Sequence, residues 1–560
     1  MKMKLLQPVR FIRVLLKPKR QSVLWFSLLA ILLLPALACN LPDRQSEELS
    51  FPTNQPQRTL PGQRQPTSVQ QPFPTNGSPP GSTVTEPSIM PTATLLPGQF
   101  PIPFLGLQTA TPGAGLPGGW ITPEPGVNLP PFAYISQSGD TLTALAARFG
   151  VDPDQIAPAQ PTIGLLTVGQ QLTIPNFLGD PPYPSAILPD SAVIYSPANA
   201  SFQVDDYISQ AGGYLSTYDE QVDPGVWETG SQIVQRVATE SSINPQVLLA
   251  FLEFRSGWVR GQPNDPSQVE YPIGFYIPDY HGLYLELSVV AKELNIGYYG
   301  WRQGTLTKLI FPNNSHVRLS PGLNAGSVAL QTLTSKFYRQ QQDWLAALYG
   351  VHGFLGIYHE MFADPWQAAA QVEPLFPSAL AQPTLELPFS PAELWSLTSG
   401  PHIAWRTGTP RGALDFAPIT GEPHCAVSIA WVTASAPGLV LRTKDGTVAL
   451  DLDGDGLEQT GWVLVYMHIA EQDRVSPGTW VDTNTPLGHP SCEGGQATGT
   501  HVHLARKYNG EWLAADGPLP FVLSGWVAHV GELPYEGTLE KNGQVVSAHP
   551  DGSSGSTIIR

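Results

Sequence analysis

Four short stretches hold the side chains best suited to metal binding and proton transfer. The stretch "TGTHVHLAR" sets His501 and His503 one residue apart inside an apolar run. Strand alternation sends both imidazoles to one face, where both can reach a single ion and its water. "GALDF" presents Asp415, and "YMHI" presents His468 at the end of a β-rich arm. "SGPHIAWRTGTPRGALDFAP" carries two further candidates, His402 thirteen residues before Asp415 and Arg411 four before it. Isolated histidines usually mean little, and the value of these comes from their order.

That order, an aspartate motif followed by an isolated histidine and then an HxH pair, resembles the lysostaphin-type (LytM) and beta-lytic zinc metallopeptidases. The resemblance implies that an early histidine, the aspartate and the second histidine of HxH hold a zinc ion (Zn2+). The isolated histidine and the first of the pair would handle the reacting groups. Carried over, Asp415 and His503 are metal ligands, and His468 and His501 are the catalytic pair. In the commonest form of the motif a histidine stands where this chain has Arg411. The beta-lytic branch spaces its early histidine further away, which points to His402 as the third ligand and to Arg411 as a loop residue. Two histidines and one carboxylate leave zinc an open position for water, the arrangement of a catalytic site. Zinc brings the pKa of such a water to about 7, and two imidazoles can move its proton or hold an oxyanion.

Other candidates are weaker. His424, His489 and His529 stand in no such pattern, and His352 and His359 read as core or surface residues. "DLDGDG", from Asp451 to Gly456, has a calcium-loop flavour, but Trp462 stands where the twelfth-place glutamate would be, so a solvated hairpin tip is expected.

The elements that must position these residues begin near Leu385, where the text turns to alternating strands and glycine-rich turns. "VALDLDGDGLEQTGWVLVYMHI" reads as a hairpin with Asp-Gly turn signals. Alternation puts Leu464, Tyr466 and His468 on one face of its second arm, and Val463, Val465 and Met467 on the other. The family resemblance implies a mainly antiparallel β metallopeptidase domain of the duplicated hybrid motif type over 385–530. A C-terminal hairpin and a disordered tail, "AHPDGSSGSTIIR", are expected over 531–560. Cys425 and Cys492 lack the short paired spacing of a zinc site, so in an oxidising compartment they are expected to form a disulfide.

Upstream, "SGDTLTALAARFGV" and "LTVGQQLTIP" frame a unit over 132–176. Leu142, Leu145, Ala146 and Phe149 make one helical face that Asp140 could cap and Gly150 end. The unit reads strand, helix, helix, strand and resembles a LysM module, which implies recognition of N-acetylglucosamine glycans such as peptidoglycan. Between 190 and 383 the pattern is helical and aromatic. "SQIVQRVATESSINPQVLLAFLEFRSGWV" reads as two helices joined at Asn244-Pro245. It resembles the start of a lysozyme-like domain, whose acid is a glutamate directly before Ser-Gly. Here that position is Arg255, and Glu253 would face the other way on a helix. Arginine cannot protonate a glycosidic oxygen, so a non-catalytic scaffold or substrate-binding role is expected.

The first 38 residues combine a basic start with the apolar run "VLWFSLLAILLLPALA" and read as an export signal. "PALAC" resembles a lipobox, which implies lipidation at Cys39 and an extracytoplasmic, membrane-anchored protein of undetermined oligomeric state. From 39 to 131 the chain is rich in the protein's 58 prolines and cannot bury enough apolar area to order itself. As a tether of about 90 residues it could reach on the order of 200 Å. The net charge of −17 argues against nucleic acid as a partner. The expectation is a lipid-anchored zinc endopeptidase acting on peptidoglycan cross-links, with a catalytically silent peptidoglycan-binding or regulatory lipoprotein as the alternative.

Overall fold

The computed structural model describes residues 129–179 and 185–560, together with the backbone of Gln108 and Thr109. The export signal, Cys39 and the proline-rich segment up to residue 128 lie outside the described residues, those two excepted. Among the described residues no helix is long and apolar enough to cross a membrane.

The first unit pairs β1 (Phe132–Ile135) antiparallel with β2 (Gln171–Ile174) and packs α1 (Leu142–Phe149) over them. The apolar face named from the sequence forms its core. Gly150, at φ 66°, ends the helix as expected, but Thr141 rather than Asp140 caps its start. Asp140 is buried and committed elsewhere, accepting the Tyr134 hydroxyl at 2.6 Å and pairing with Arg148 at 2.7 Å. The expected second helix is reduced to a 3-10 turn, Pro153–Gln155. Pro158 and Pro161 follow it, and proline neither donates a helical hydrogen bond nor lets its predecessor stay helical.

In the helical unit two short helices, Asp190–Val193 and Val204–Ala211, precede a hairpin, β3 (Asp219–Asp223) and β4 (Val226–Thr229), which is followed by α2 (Gly230–Ser241) and α3 (Pro245–Ser256). Asn244 Oδ1 accepts from the Gln246 amide at 2.9 Å, and Pro245 fills the first helical position, where no amide is needed. The longest helix, α4 (Leu283–Arg302), packs against α5 (Ala325–Ser335). At the position of a glycosidase acid, Arg255 donates to the Ile273 carbonyl and lies over the Phe337 ring. Glu253 is tied to Arg260 and to the backbone amides of Val259 and Arg260. Neither group is presented as a proton donor.

The third unit is built on a nine-stranded sheet. Its strands are β5 (Leu394–Ile403), β6 (Arg411–Pro418), β7 (Gly438–Arg442), β8 (Val448–Asp451), β9 (Trp462–Met467), β10 (Trp480–Val481), β11 (Val502–Tyr508), β12 (Glu511–Trp512) and the C-terminal β17 (Thr557–Ile559). A smaller sheet holds β13 (Val522–Leu523), β14 (Trp526–Val530), β15 (Gly537–Lys541) and β16 (Gln544–Ser547). The large sheet runs β10-β7-β8-β9-β11-β6-β5-β17, with β12 paired to β11, and its pairings are antiparallel. The tail expected to be disordered therefore ends in an edge strand. Ile558, 2% exposed, supplies buried apolar area, and β17 covers an edge that β5 would otherwise leave unpaired. Arg411 likewise opens β6 rather than lying in the preceding loop.

Each face of the sheet is buried against something different. Leu414, Phe416, Leu464, Tyr466, Val502 and Leu504 join a core on the side of the small sheet. Ala413, Val463, Val465, Ala505 and Trp512 join the core of the helical unit. Arg302, at the end of α4, ties all three units together: it bonds the Ser138 carbonyl, Asp190 at 3.0 Å and Glu511 at 3.0 Å.

Candidate metal centre

Three neighbouring strands meet at the site. His503 on β11 stands opposite Asp415 on β6 and opposite Met467 on β9. His402, near the end of β5, stands opposite Ala413. Asp415 shares its parity with Ala413, and His503 with Ala505, so both project from the face that the helical unit covers.

His402 Nε2, His503 Nδ1 and Asp415 Oδ1 converge. The two nitrogens are 3.0 Å apart and lie 3.3 and 3.2 Å from the carboxylate oxygen. All three residues are buried. The other nitrogen of each imidazole is taken by a backbone carbonyl: His402 Nδ1 by Gly400 at 2.9 Å and His503 Nε2 by Ala404 at 2.9 Å. A carbonyl only accepts, so each ring carries its proton on that side and turns a lone pair toward the common point. Asp415 Oδ1 is buried with no hydrogen-bond partner. Three lone pairs facing one another repel unless a cation sits among them, and two imidazoles plus a carboxylate are the donor set of a catalytic zinc site. The residues present fit the ion.

His468 and His501 complete the cluster, with ring centres 4.4 Å apart. His501 Nδ1 donates to the Gly499 carbonyl at 2.7 Å, leaving Nε2 buried, unpartnered and 3.7 Å from Asp415 Oδ2. His468 Nδ1 donates to the Glu493 carbonyl at 3.1 Å, which likewise leaves Nε2 as the free acceptor. Burial, reinforced by His501 and His503, pushes His468 down to about 3, so its ring is neutral at physiological pH.

Alternation would bury His468 with Leu464 and Tyr466, on the side away from the metal ligands. The structure corrects that expectation. His468 lies just past β9 with φ 63°, a left-handed conformation that reverses the alternation and brings its ring to the cleft. Such a backbone is costly for a residue with a side chain, and the place of the ring in the cleft depends on it.

Some neighbours carried no motif. Tyr535, in the turn "LPYEG" between β14 and β15, stacks on His402 with ring centres 4.7 Å apart, and its carbonyl accepts the Gly400 amide at 2.7 Å. Turn-forming residues were the only signal there. The cluster opens into a cleft of about 2080 Å³ whose opposite wall is the helical unit: Trp227 on β4, Tyr280 and Arg236 line it together with His402, His468 and His503. Trp227 is 63% exposed. Ion pairs cross between the walls, Arg406 to Glu240 at 2.9 Å and Lys444 to Glu228 at 3.2 Å. Cys425 and Cys492 are joined by a disulfide. Arg411 lies away from the cluster, donating to the Gly531 carbonyl. His529 faces Asp516 instead, at 3.8 Å. The second acidic group, Asp451, Asp453 and Asp455, forms a hairpin tip in which Asp451 accepts amides of the same loop.

Family models match two of the units. A family model described as LysM domain matches residues 134–175, and one described as LasA, N-terminal domain matches residues 186–375, the stretch whose sequence resembled a lysozyme-like domain. Two curated relatives named Protease LasA, from two strains of Pseudomonas aeruginosa, are 27% and 26% identical over 369 residues. Each alignment covers 61% of this chain and 79% of the relative. Among solved structures, the M23 metalloprotease pseudoalterin from the deep sea is 26% identical, with a TM-score of 0.26, over 30% of this chain and 96% of that one. A zinc-containing peptidase from Vibrio cholerae is 18% identical, with a TM-score of 0.19, over 25% of this chain and 41% of that one. The chain is thus similar to Protease LasA over much of its length and carries a LysM match ahead of the stretch that matches the LasA N-terminal domain.

Proposed function

We propose that this protein is an extracytoplasmic zinc endopeptidase that hydrolyses peptide cross-links of peptidoglycan. The observation that carries the reading is the convergence of His402 Nε2, Asp415 Oδ1 and His503 Nδ1 beside two imidazoles whose Nε2 atoms are free. Zinc held by those three atoms would supply Lewis acidity and a hydroxide-generating water near neutral pH. His468 and His501 offer the acceptors for a proton, which either can return to the leaving amine. The Gly400 and Ala404 carbonyls fix the ligand rings, so the ligand geometry needs no rearrangement when substrate arrives.

The LysM unit would hold the protein on glycan, and the helical unit would act as the far wall of the substrate cleft, with Trp227 as an aromatic platform. Lipidation at Cys39 and the long proline-rich segment would let a membrane-anchored enzyme reach the wall. The expected result is that purified protein binds about one zinc per chain and releases peptides from isolated peptidoglycan, as read by mass spectrometry, while His503→Ala releases none. Full release by His503→Ala would reject the proposal.

A further inference from the structure

His468 and His501 come from separate segments, and neither ring is fixed by regular secondary structure. His468 follows β9 in a left-handed conformation, and His501 precedes β11. Each is oriented through Nδ1 by a loop carbonyl, Glu493 for His468 and Gly499 for His501. Both carbonyls belong to one loop between Ser491 and Thr500, so whatever fixes that loop fixes both rings.

Two features fix it. The Cys425–Cys492 disulfide joins the loop to the segment before Ser428. Cys492 immediately precedes Glu493, whose carbonyl holds His468. At the other end of the bridge, Cys425 immediately precedes Ala426, whose carbonyl accepts the Thr500 hydroxyl at 2.7 Å, one residue before His501. The bridge therefore connects the two anchors that flank the two rings. The second feature is Ser491, 1% exposed. Its amide and its hydroxyl both donate to the His468 carbonyl, at 2.7 and 3.0 Å, and its Oγ accepts the Glu493 amide at 3.0 Å. Its own carbonyl accepts the His501 amide at 3.4 Å. Ser491 thus touches the backbone of both histidines and of the residue that orients one of them.

We infer that Ser491 and the Cys425–Cys492 disulfide are positioning elements that hold His468 and His501 in register for the peptidase reaction, acting through the Glu493 and Ala426 carbonyls. The inference rests on the reading of these histidines as the catalytic pair. It separates their alignment from metal binding, because His402, Asp415 and His503 are held by β5, β6 and β11 and by the Gly400 and Ala404 carbonyls, none of which belongs to this loop. Cys425 is exposed, so a reductant can reach the bridge in the folded protein.

The test uses the full chain with soluble cross-linked muropeptides, measuring kcat, KM and bound zinc. Ser491→Ala, and separately the double variant Cys425→Ser/Cys492→Ser, are expected to lower kcat about tenfold with KM and zinc content unchanged, since displacement of a reacting group by a fraction of an ångström is costly. Should the double variant fail to fold, treating the native protein with the phosphine tris(2-carboxyethyl)phosphine, which offers zinc no dithiolate, and then reoxidising it makes the same measurement: kcat falls and returns while zinc stays bound. His468→Ala is the control for the underlying reading. If His468→Ala is inactive while Ser491→Ala and the reduced protein keep full kcat, the positioning role is wrong and the catalytic assignment stands. If His468→Ala is fully active, the catalytic assignment itself is wrong. Loss of zinc along with kcat on reduction would also overturn the inference, because the loop would then be supporting the metal.

Discussion

Asp415 and His503 face each other across adjacent antiparallel strands, and Asp415 Oδ1 lies 3.2 Å from His503 Nδ1. Directly opposed residues on paired strands have their Cβ atoms about 5 Å apart, the span over which one ion can be shared. The third member, His402, comes from β5 on the other side of β6. The centre is therefore carried on sheet hydrogen bonding, not on a loop.

His402→Ala is expected to lose zinc and activity together, whereas Arg411→Ala should keep both, because Arg411 contacts only the Gly531 carbonyl at the far end of its side chain. Metal analysis of the two purified variants decides it, and the reverse outcome would reassign the ligand.

On the proposed roles, removing either proton-transfer imidazole should leave the metal in place. His468→Ala and His501→Ala should each keep bound zinc and lower kcat by about 10²–10⁴-fold. Zinc lost from either variant would place that residue among the ligands.

Trp227 lines the cleft from the helical unit, away from the reacting groups. Trp227→Ala should raise KM on soluble muropeptides by roughly fivefold with kcat little changed, as expected for loss of an aromatic contact of about 1 kcal/mol. An unchanged KM would leave the helical unit as a scaffold alone.

Glu373 is half-buried near Asp190, and desolvation, followed by the charge of Asp190, pushes its carboxyl up to about 7. A raised carboxyl binds its proton more tightly in the folded chain. Its contribution is fully present below the ordinary carboxyl pKa and is lost as pH rises through about 7. Glu373→Gln should therefore raise thermal stability at pH 8, by roughly 1–3 kcal/mol, and change it little at pH 4. Melting curves at the two pH values measure this, and a Gln variant less stable at pH 8 would contradict it.

Much of the site could be read before the fold. The HxH spacing within an apolar run was legible from residue order, because strand periodicity is a local property, whereas the Asp415 motif and the choice of His402 over Arg411 came from the family resemblance. The Asn244-Pro245 helix joint and the Gly150 cap were legible for the same reason, each depending on a few adjacent residues, whereas the cysteine pair, 67 residues apart, followed from an oxidising compartment. The tail failed as a local reading, since "STIIR" becomes a strand only because β5 offers an open edge more than 150 residues away in sequence. Asp140 failed likewise, drawn from its cap by Arg148 and Tyr134.

The sequence by itself determined which side chains could bind zinc, which could move a proton and which segments alternate as strands. Only the tertiary structure decided that His468 turns against its strand's alternation, that Tyr535 stacks on His402 and that the helical unit walls the cleft. The reason is physical: ligand identity and strand period are written within a few residues, whereas ring orientation is set by carbonyls and partners that only the folded chain brings within hydrogen-bond reach.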